Sequence, residues 1–206
     1  MRRTRSVARR HSARPPAARI VVATEGKLTE PEYLKKFARA HHNSSVRIVP
    51  IPVGGDPRTV VERAIEAKKE AKGDPLATQD SFWAMFDRDS HPRYKEARNL
   101  AQGHGICLAI SNPCFELWGI LHYREQNAPI DRHKCQRILE ALCPRYSARS
   151  GKIFADQAVI KQGYLKAVER SSDSLQRRNE EGDPGGNPST TVHQLTEFIR
   201  CFEIGE

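Results

Sequence analysis

Four acidic residues fall just beyond short β-rich runs. Glu25 follows Ile20 to Thr24, Asp87 and Asp89 close the run Ser81 to Phe86, and Glu116 lies a little beyond Ile106 to Ile110. Carboxylates are the oxygen ligands that a hard divalent cation prefers. Mg²⁺ takes one or two of them, keeps several waters and completes its shell with phosphate oxygens. In Asp87-Arg88-Asp89 an extended i, i+2 pair points both carboxylates to one side, about 6–7 Å apart along the backbone, so they can flank such an ion. Without an ion, clustered carboxylates repel one another and their pKa values rise. A metal relieves that repulsion and can polarise a phosphodiester.

Each acid also has a plain structural reading, and both stay open at this point. Asp89 precedes Ser90 and Pro92 and is placed to begin a helix, while Asp87 could orient a turn. Glu25, before Gly26, reads equally as a solvated loop residue. Glu116 sits in the first turn of a helix opened by Asn112-Pro113, where a carboxylate meets the helix dipole favourably without any chemistry. Glu30 is ambiguous for the same reason. Glu32 is assigned to a capping box, Thr29-x-x-Glu32, with Pro31 in the first turn.

Other candidates carry less. Gly54-Gly55-Asp56 lacks the Lys-Ser/Thr of a phosphate loop and reads as a tight turn. Ser111, Cys114 and His122 form no recognisable nucleophile arrangement. Leu117, Trp118 and Leu121 recur at helical spacing and read as core. Lys152, Lys161, Arg177 and Arg178 could hold phosphates or lie on a solvated helix face.

The elements that must position these residues alternate along the chain. Strands are expected over 20–24, 46–53, 81–86 and 106–110, and helices over 30–42, 57–72 and 91–103. Such alternation implies right-handed β-α-β units and a Rossmann-like α/β fold, a mostly parallel sheet flanked by helices, over residues 20–111. Ligand sites of open parallel sheets lie beyond the carboxyl ends of the strands, which is where the acids fall. From Pro113 onward the strand signals stop. Helical patterns over 113–124, 131–143, 155–181 and 188–203 are read as a helical extension, residues 112–206, packed on the core.

The 206 residues include 34 Lys+Arg against 25 Asp+Glu, a formal charge of +9. Seven arginines and no acid occupy residues 1–19, leaving a body with a balance of only +2. The basic stretch, with Pro15-Pro16 and no apolar periodicity, is expected to be a disordered tail. It is either a solubilising extension or a counter-ion arm for phosphates or an acidic partner. The apolar run after it, Ile20 to Ala23, is too short for a signal core. No stretch approaches a membrane span, and five unclustered cysteines without C-x-x-C argue against disulfides and structural zinc. The expectation is a soluble, cytoplasmic protein.

Four blocks carry a resemblance. They are Val22-Ala23-Thr24-Glu25-Gly26-Lys27-Leu28-Thr29-Glu30-Pro31-Glu32-Tyr33, then Phe86-Asp87-Arg88-Asp89, then Ser111-Asn112-Pro113-Cys114-Phe115-Glu116-Leu117-Trp118 with His122, and late Asn187-Pro188-Ser189-Thr190-Thr191-Val192 followed by Leu195. In order and spacing, the chain resembles the RloB-like family over residues 20–203. That resemblance implies a Toprim-like fold, a place in bacterial anti-phage abortive infection, an AAA-type ATPase as partner, and a metal-dependent nuclease role on DNA or RNA. It also implies roles for residues. Glu25 would act in acid-base or metal chemistry, Asp87 and Asp89 would bind Mg²⁺ (or Mn²⁺), and Glu116 would be a further ligand or substrate-orienting acid. Glu30, Asn112 and Lys161 are the candidates for contacting substrate. One departure stands out: Toprim proteins commonly place an acid three residues after the Glu-Gly, where this chain has Thr29 and then Glu30.

Three functions compete on these grounds: a nuclease, a non-enzymatic partner or sensor of an ATPase, and a nucleotide- or phosphate-binding regulatory module. Only the first requires the acids to converge.

Overall fold

The near-continuous apolar runs Ile20 to Ala23 and Phe82 to Phe86 give their strands two apolar faces, and the sheet is accordingly covered on both sides. The structure, a computed structural model, describes residues 17–41, 43, 45–89, 91–147, 154 and 157–202. Strands β1 (Ala18–Thr24), β2 (Val46–Pro52), β3 (Ser81–Asp87), β4 (Cys107–Asn112) and β5 (Ser189–Thr190) form one sheet in the order β2-β1-β3-β4-β5. The first four are parallel, and β5 runs antiparallel to β4. The register sets Thr24 opposite Met85 and Asp87 opposite Ser111, so the carboxyl ends of β1, β3 and β4 share one edge.

Val21, Ala23, Phe82, Ala84 and Phe86 pack under α2 (Pro57–Glu70) and α3 (Tyr94–His104), against Val60, Val61, Ala64, Ala97 and Ala101. Ile20, Val22, Trp83 and Met85 point to the other face. There they meet Tyr33, Leu34 and Phe37 of α1 (Thr29–Ala40) and Leu117, Trp118, Ile120 and Leu121 of α4 (Glu116–Leu121). Helices α5 (Arg132–Leu142), α6 (Gln157–Gln162), α7 (Tyr164–Glu180) and α8 (Val192–Cys201) extend this second core. Each buried Leu, Ile or Phe contributes roughly 1.5–3 kcal/mol, so the second face, with more large side chains, carries more of the stability. At the open edge, Val53 N–H bonds back to Thr24. Alternation then turns the backbone nitrogens of Pro50 and Pro52 outward, where proline removes the donors another strand would need.

Several elements differ from the pattern expected of the sequence. Strand signals do not stop at Pro113, because Ser189 and Thr190 pair with Asn112 and Ser111; two residues are too few to show a period. Strand β1 begins at Ala18, so Arg19, the last arginine of the basic stretch, lies in the sheet. There it donates to Asp80 at 2.7 Å and Asp74 at 2.9 Å. The rest of that tail, residues 1–16, lies outside the described residues, as does Lys152. The helix expected over 155–181 is divided at Gly163, where a Cβ would stand 2.6 Å from the His122 carbonyl oxygen; its first two residues also lie outside the described set. The capping box does not form. Helix α1 already includes Thr29, its N-cap is Leu28 without a side-chain bond, and Glu32 pairs instead with Lys35 at 2.8 Å. Asp56, by contrast, caps α2 by accepting from the Arg58 and Thr59 amides, so the Gly-Gly-Asp turn ends in a helix start. No helix among the described residues is long and apolar enough to cross a membrane.

Helices α4 and α5 approach closely at Gly119, where a Cβ would stand 2.8 Å from a Leu139 methyl. Gly119→Val should therefore cost about 1–3 kcal/mol by overpacking, measured as a lower urea midpoint with unchanged slope. An unchanged midpoint would show that the two helices part freely.

Candidate functional site

The carboxyl edge collects acids from three separated chain segments. Glu25 leaves β1 with its amide still bonded to Met85, 2.9 Å away, and its Oε2 accepts from the Asp87 amide at 2.9 Å. Its Oε1 lies 3.8 Å from His91 Nε2. Gly26 donates its N–H to Glu30 Oε1 at 3.0 Å, and a side chain at position 26 would land on that same carboxylate. Glycine thus leaves room for the Glu30 carboxylate in this position, and Glu30, on the first turn of α1, is buried with 6% of its surface exposed. Asp87 ends β3 on the face of Trp83 and Met85 and is also buried. Glu116 opens α4, buried, with Oε1 accepting from Tyr146 Oη–H at 2.7 Å.

Asp87 and Asp89 do not form an extended i, i+2 pair. Asp89 has φ +31°, and the Arg88 carbonyl accepts from the His91 amide at 3.2 Å, so the chain turns as soon as β3 ends. The two carboxylates nevertheless face one group. Arg132 Nη2 lies 3.1 Å from Asp87 Oδ2, and Arg132 Nε donates to Asp89 Oδ2 at 3.0 Å.

Burial raises the pKa of Asp87 well above the usual carboxylate range. The charges of Glu30, Glu25 and Glu116 push it the same way, and Arg132 opposes them. Glu30 is pushed up to about 7, first by burial and then by the charges of Glu116 and Glu25, against hydrogen bonds from backbone amides. Burial raises Glu25 as well, opposed by the Asp87 amide, His91 and Arg132. Glu25, Glu30, Asp87 and Glu116 therefore act on one another electrostatically. The readings of Glu25 as a solvated loop residue and of Asp87 as a turn residue do not describe them.

The donor set is chemically the kind that a hard divalent cation takes, and its mutual repulsion is the kind that such a cation relieves. Among the described residues, however, no three His, Cys, Asp or Glu side chains stand arranged to hold a metal ion. The positive charge in direct contact with Asp87 and Asp89 is Arg132.

The remaining candidates separate clearly. Asn112, at the end of β4, donates to the Gly185 carbonyl at 2.9 Å and so ties the sheet edge to the loop before β5. Lys161 is exposed on α6 and is not among the main charges acting on Glu25, Glu30 or Asp87. Ser111 bonds Thr190, and His122 is a core residue that contacts the Trp118 carbonyl and the rings of Tyr33 and Phe154. Burial holds the His122 pKa down to about 4. The Cys114 thiol is raised by its hydrogen bond to Cys135 and then by burial, which keeps it protonated and unreactive. Leu117, Trp118 and Leu121 are fully in the core.

Sequence reasoning missed Arg132, Tyr146 and His91. It also missed what the late Asn-Pro block does. Asn187 accepts from the Ile130 amide at 3.0 Å and donates to the Ile130 carbonyl at 2.8 Å. Ile130 directly precedes Asp131, which caps α5 by accepting from the Lys134 amide at 2.9 Å, and Arg132 is the first residue of that helix. The loop before β5 thus sets where Arg132 begins. Arg88, bonded to the Gly185 and Pro184 carbonyls, fastens the same loop to the end of β3.

A mostly parallel α/β sheet with a carboxylate cluster beyond its strand ends places this chain among α/β proteins built around an acidic edge. More particularly, a profile of the RloB-like protein family matches residues 20–199, and the chain belongs to that family. No curated protein and no solved structure matches it.

Glu30 gives a signed pH dependence. Its folded pKa of about 7 exceeds the ordinary 4.5, so the folded state holds the proton longer and stability falls as pH rises from 4.5 through 7. Glu30→Gln removes that loss. Relative to the parent, the variant should gain up to about 3 kcal/mol between pH 4.5 and pH 8 in denaturant unfolding. A gap independent of pH would mean that Glu30 ionises as an ordinary carboxylate.

Proposed function

We propose that this protein is a metal-dependent nuclease that hydrolyses phosphodiester bonds of DNA or RNA, acting in anti-phage defence beside an AAA-type ATPase. The observation that carries the reading is the convergence of Glu25, Glu30, Asp87 and Glu116, from three separated chain segments, into one electrostatically interacting cluster at the carboxyl edge of the sheet. Nothing in the packing requires so much like charge in one place. A ligand that needs it is the economical reason for keeping it.

In this reading Asp87 and Asp89, with Glu25, would hold Mg²⁺ or Mn²⁺. When bound, the ion would neutralise the scissile phosphate and lower the pKa of an attacking water. The chain's own residues supply the rest. Glu25, less deeply buried than Asp87 and with a raised pKa, is suited to hold and pass a proton at Oε1, the oxygen not bonded to the Asp87 amide. Glu116 is held by Tyr146, and Glu30 by the Gly26 amide. Lys27 is exposed two residues after Glu25 and offers a cation to the nucleic-acid backbone. With a body balance of only +2, attraction to nucleic acid must come from such local charge, the basic N-terminal stretch or a partner.

One observation favours a second reading, a non-enzymatic partner or sensor of the ATPase: Arg132 already neutralises Asp87 and Asp89. The two readings part on one assay. The purified protein, alone and with its ATPase, should cleave single- or double-stranded DNA or RNA with Mg²⁺ or Mn²⁺. Chelator should abolish cleavage, and Asp87→Asn should reduce it about 10²-fold or more. Cleavage that survives both treatments overturns the assignment. Co-purification with the ATPase, with no cleavage in any combination, establishes the partner reading instead.

A further inference from the structure

Arg132 contacts both members of the Asp-x-Asp pair through two different nitrogens, Nη2 to Asp87 at 3.1 Å and Nε to Asp89 at 3.0 Å. A guanidinium spanning two carboxylates in this way occupies the electrostatic position of a cation between them. Its placement is built in from several directions. Asp131 caps the helix that Arg132 begins, and Asn187 grips the preceding Ile130 by both its amide and its carbonyl. The surroundings are strongly one-sided in charge. Glu25, Glu30 and Glu116 all act on Asp87, and Arg132 is the main opposing charge.

A divalent ion at Asp87 and Asp89 would draw on the same two carboxylates and meet the same positive charge. Three positive charges within a few ångströms repel strongly, and Arg132 already engages one oxygen of each carboxylate. Arg132 is able to leave. Its side chain is 30% exposed, against 9% for Asp87, and its long stem can carry the head group toward solvent while α5 stays fixed. We propose that Arg132 is the resident counter-ion of this site, which holds Asp87 and Asp89 in the ion-free protein and which a divalent cation must displace. The proposal rests on the metal-dependent reading given above. Arg132 is then a positioning residue that sets the threshold of ion concentration at which the site loads.

The test measures binding rather than cleavage. Mg²⁺ and Mn²⁺ are titrated calorimetrically into the full-length protein without nucleic acid, for the parent, Arg132→Gln, Arg132→Lys and Asp87→Asn. Arg132→Gln should bind the ion about tenfold or more tightly than the parent, because the competing charge is gone, and Asp87→Asn should bind far more weakly. Thermal unfolding gives a second readout. Without ion, Arg132→Gln should melt below the parent, and saturating Mg²⁺ should raise its midpoint by more than it raises the parent's. Arg132→Lys keeps the charge but cannot fork across both carboxylates, so it should bind the ion more tightly than the parent even if the glutamine variant does not fold. Unchanged or weaker ion binding in the Arg132 variants, with binding to the parent intact, overturns the proposal and leaves the metal-dependent reading standing. No binding to the parent or to any Arg132 variant overturns both.

Discussion

Negative charge crowded into a poorly solvated edge is the condition to which the rest of this structure answers. Asp87 and Glu30 are both buried, and the Glu30 charge raises the cost of ionising Asp87. Isolated carboxylates in such a setting would simply protonate. Here each has a specific donor or counter-charge: the Asp87 amide for Glu25, the Gly26 amide for Glu30, Tyr146 for Glu116 and Arg132 for Asp87. The compensation is partial, as the raised pKa of Glu30 records. On the metal-dependent reading proposed above, that residual repulsion is what an added cation would relieve.

Much of the fold outside the sheet serves to deliver those compensating groups. Tyr146 follows α5, Arg132 begins it, and Gly26 links β1 to α1. The loop before β5 has no acid in the cluster, yet it is bonded to Arg88, Asn112 and Ile130. It therefore ties the ends of β3 and β4 to the start of α5. Strand β5, only two residues long, fixes the loop by pairing with β4 at the site's own end. Removing the C-terminal half would thus expose one face of the sheet and also strip the acids of their counter-charge.

The acids were legible in the sequence because their positions follow from two simple regularities. Apolar runs mark strands, and parallel strands present ligands at their carboxyl ends. The groups that hold the acids were not legible. Arg132 is one of 34 basic residues, and nothing local separates it from the others; its role depends on Asn187, which lies 55 positions later in the chain. Glu30 was ambiguous because the first turn of a helix favours an acid whether or not it is buried. Only the glycine at 26, which admits the carboxylate, distinguishes the two cases. Thr29-x-x-Glu32 satisfied a local pattern while the helix began one residue earlier than that pattern requires. Capping is decided by backbone angles that a sequence motif does not contain.

Stability and binding pull in opposite directions at this edge. Converting Glu30 to glutamine relieves repulsion, and so would converting Asp87, but each change also removes negative charge that a cation would use. Arg132 partly reconciles the two demands, since an internal cation lowers the folding cost of the acids without permanently consuming them. The contact differs from an ordinary buried ion pair, in which both partners are sealed and breaking the pair is strongly unfavourable. Asp87 is sealed, but the Arg132 head group reaches solvent and can be rehydrated when released. That asymmetry in exposure is what would let one guanidinium serve, as proposed, as both a structural counter-ion and a removable one.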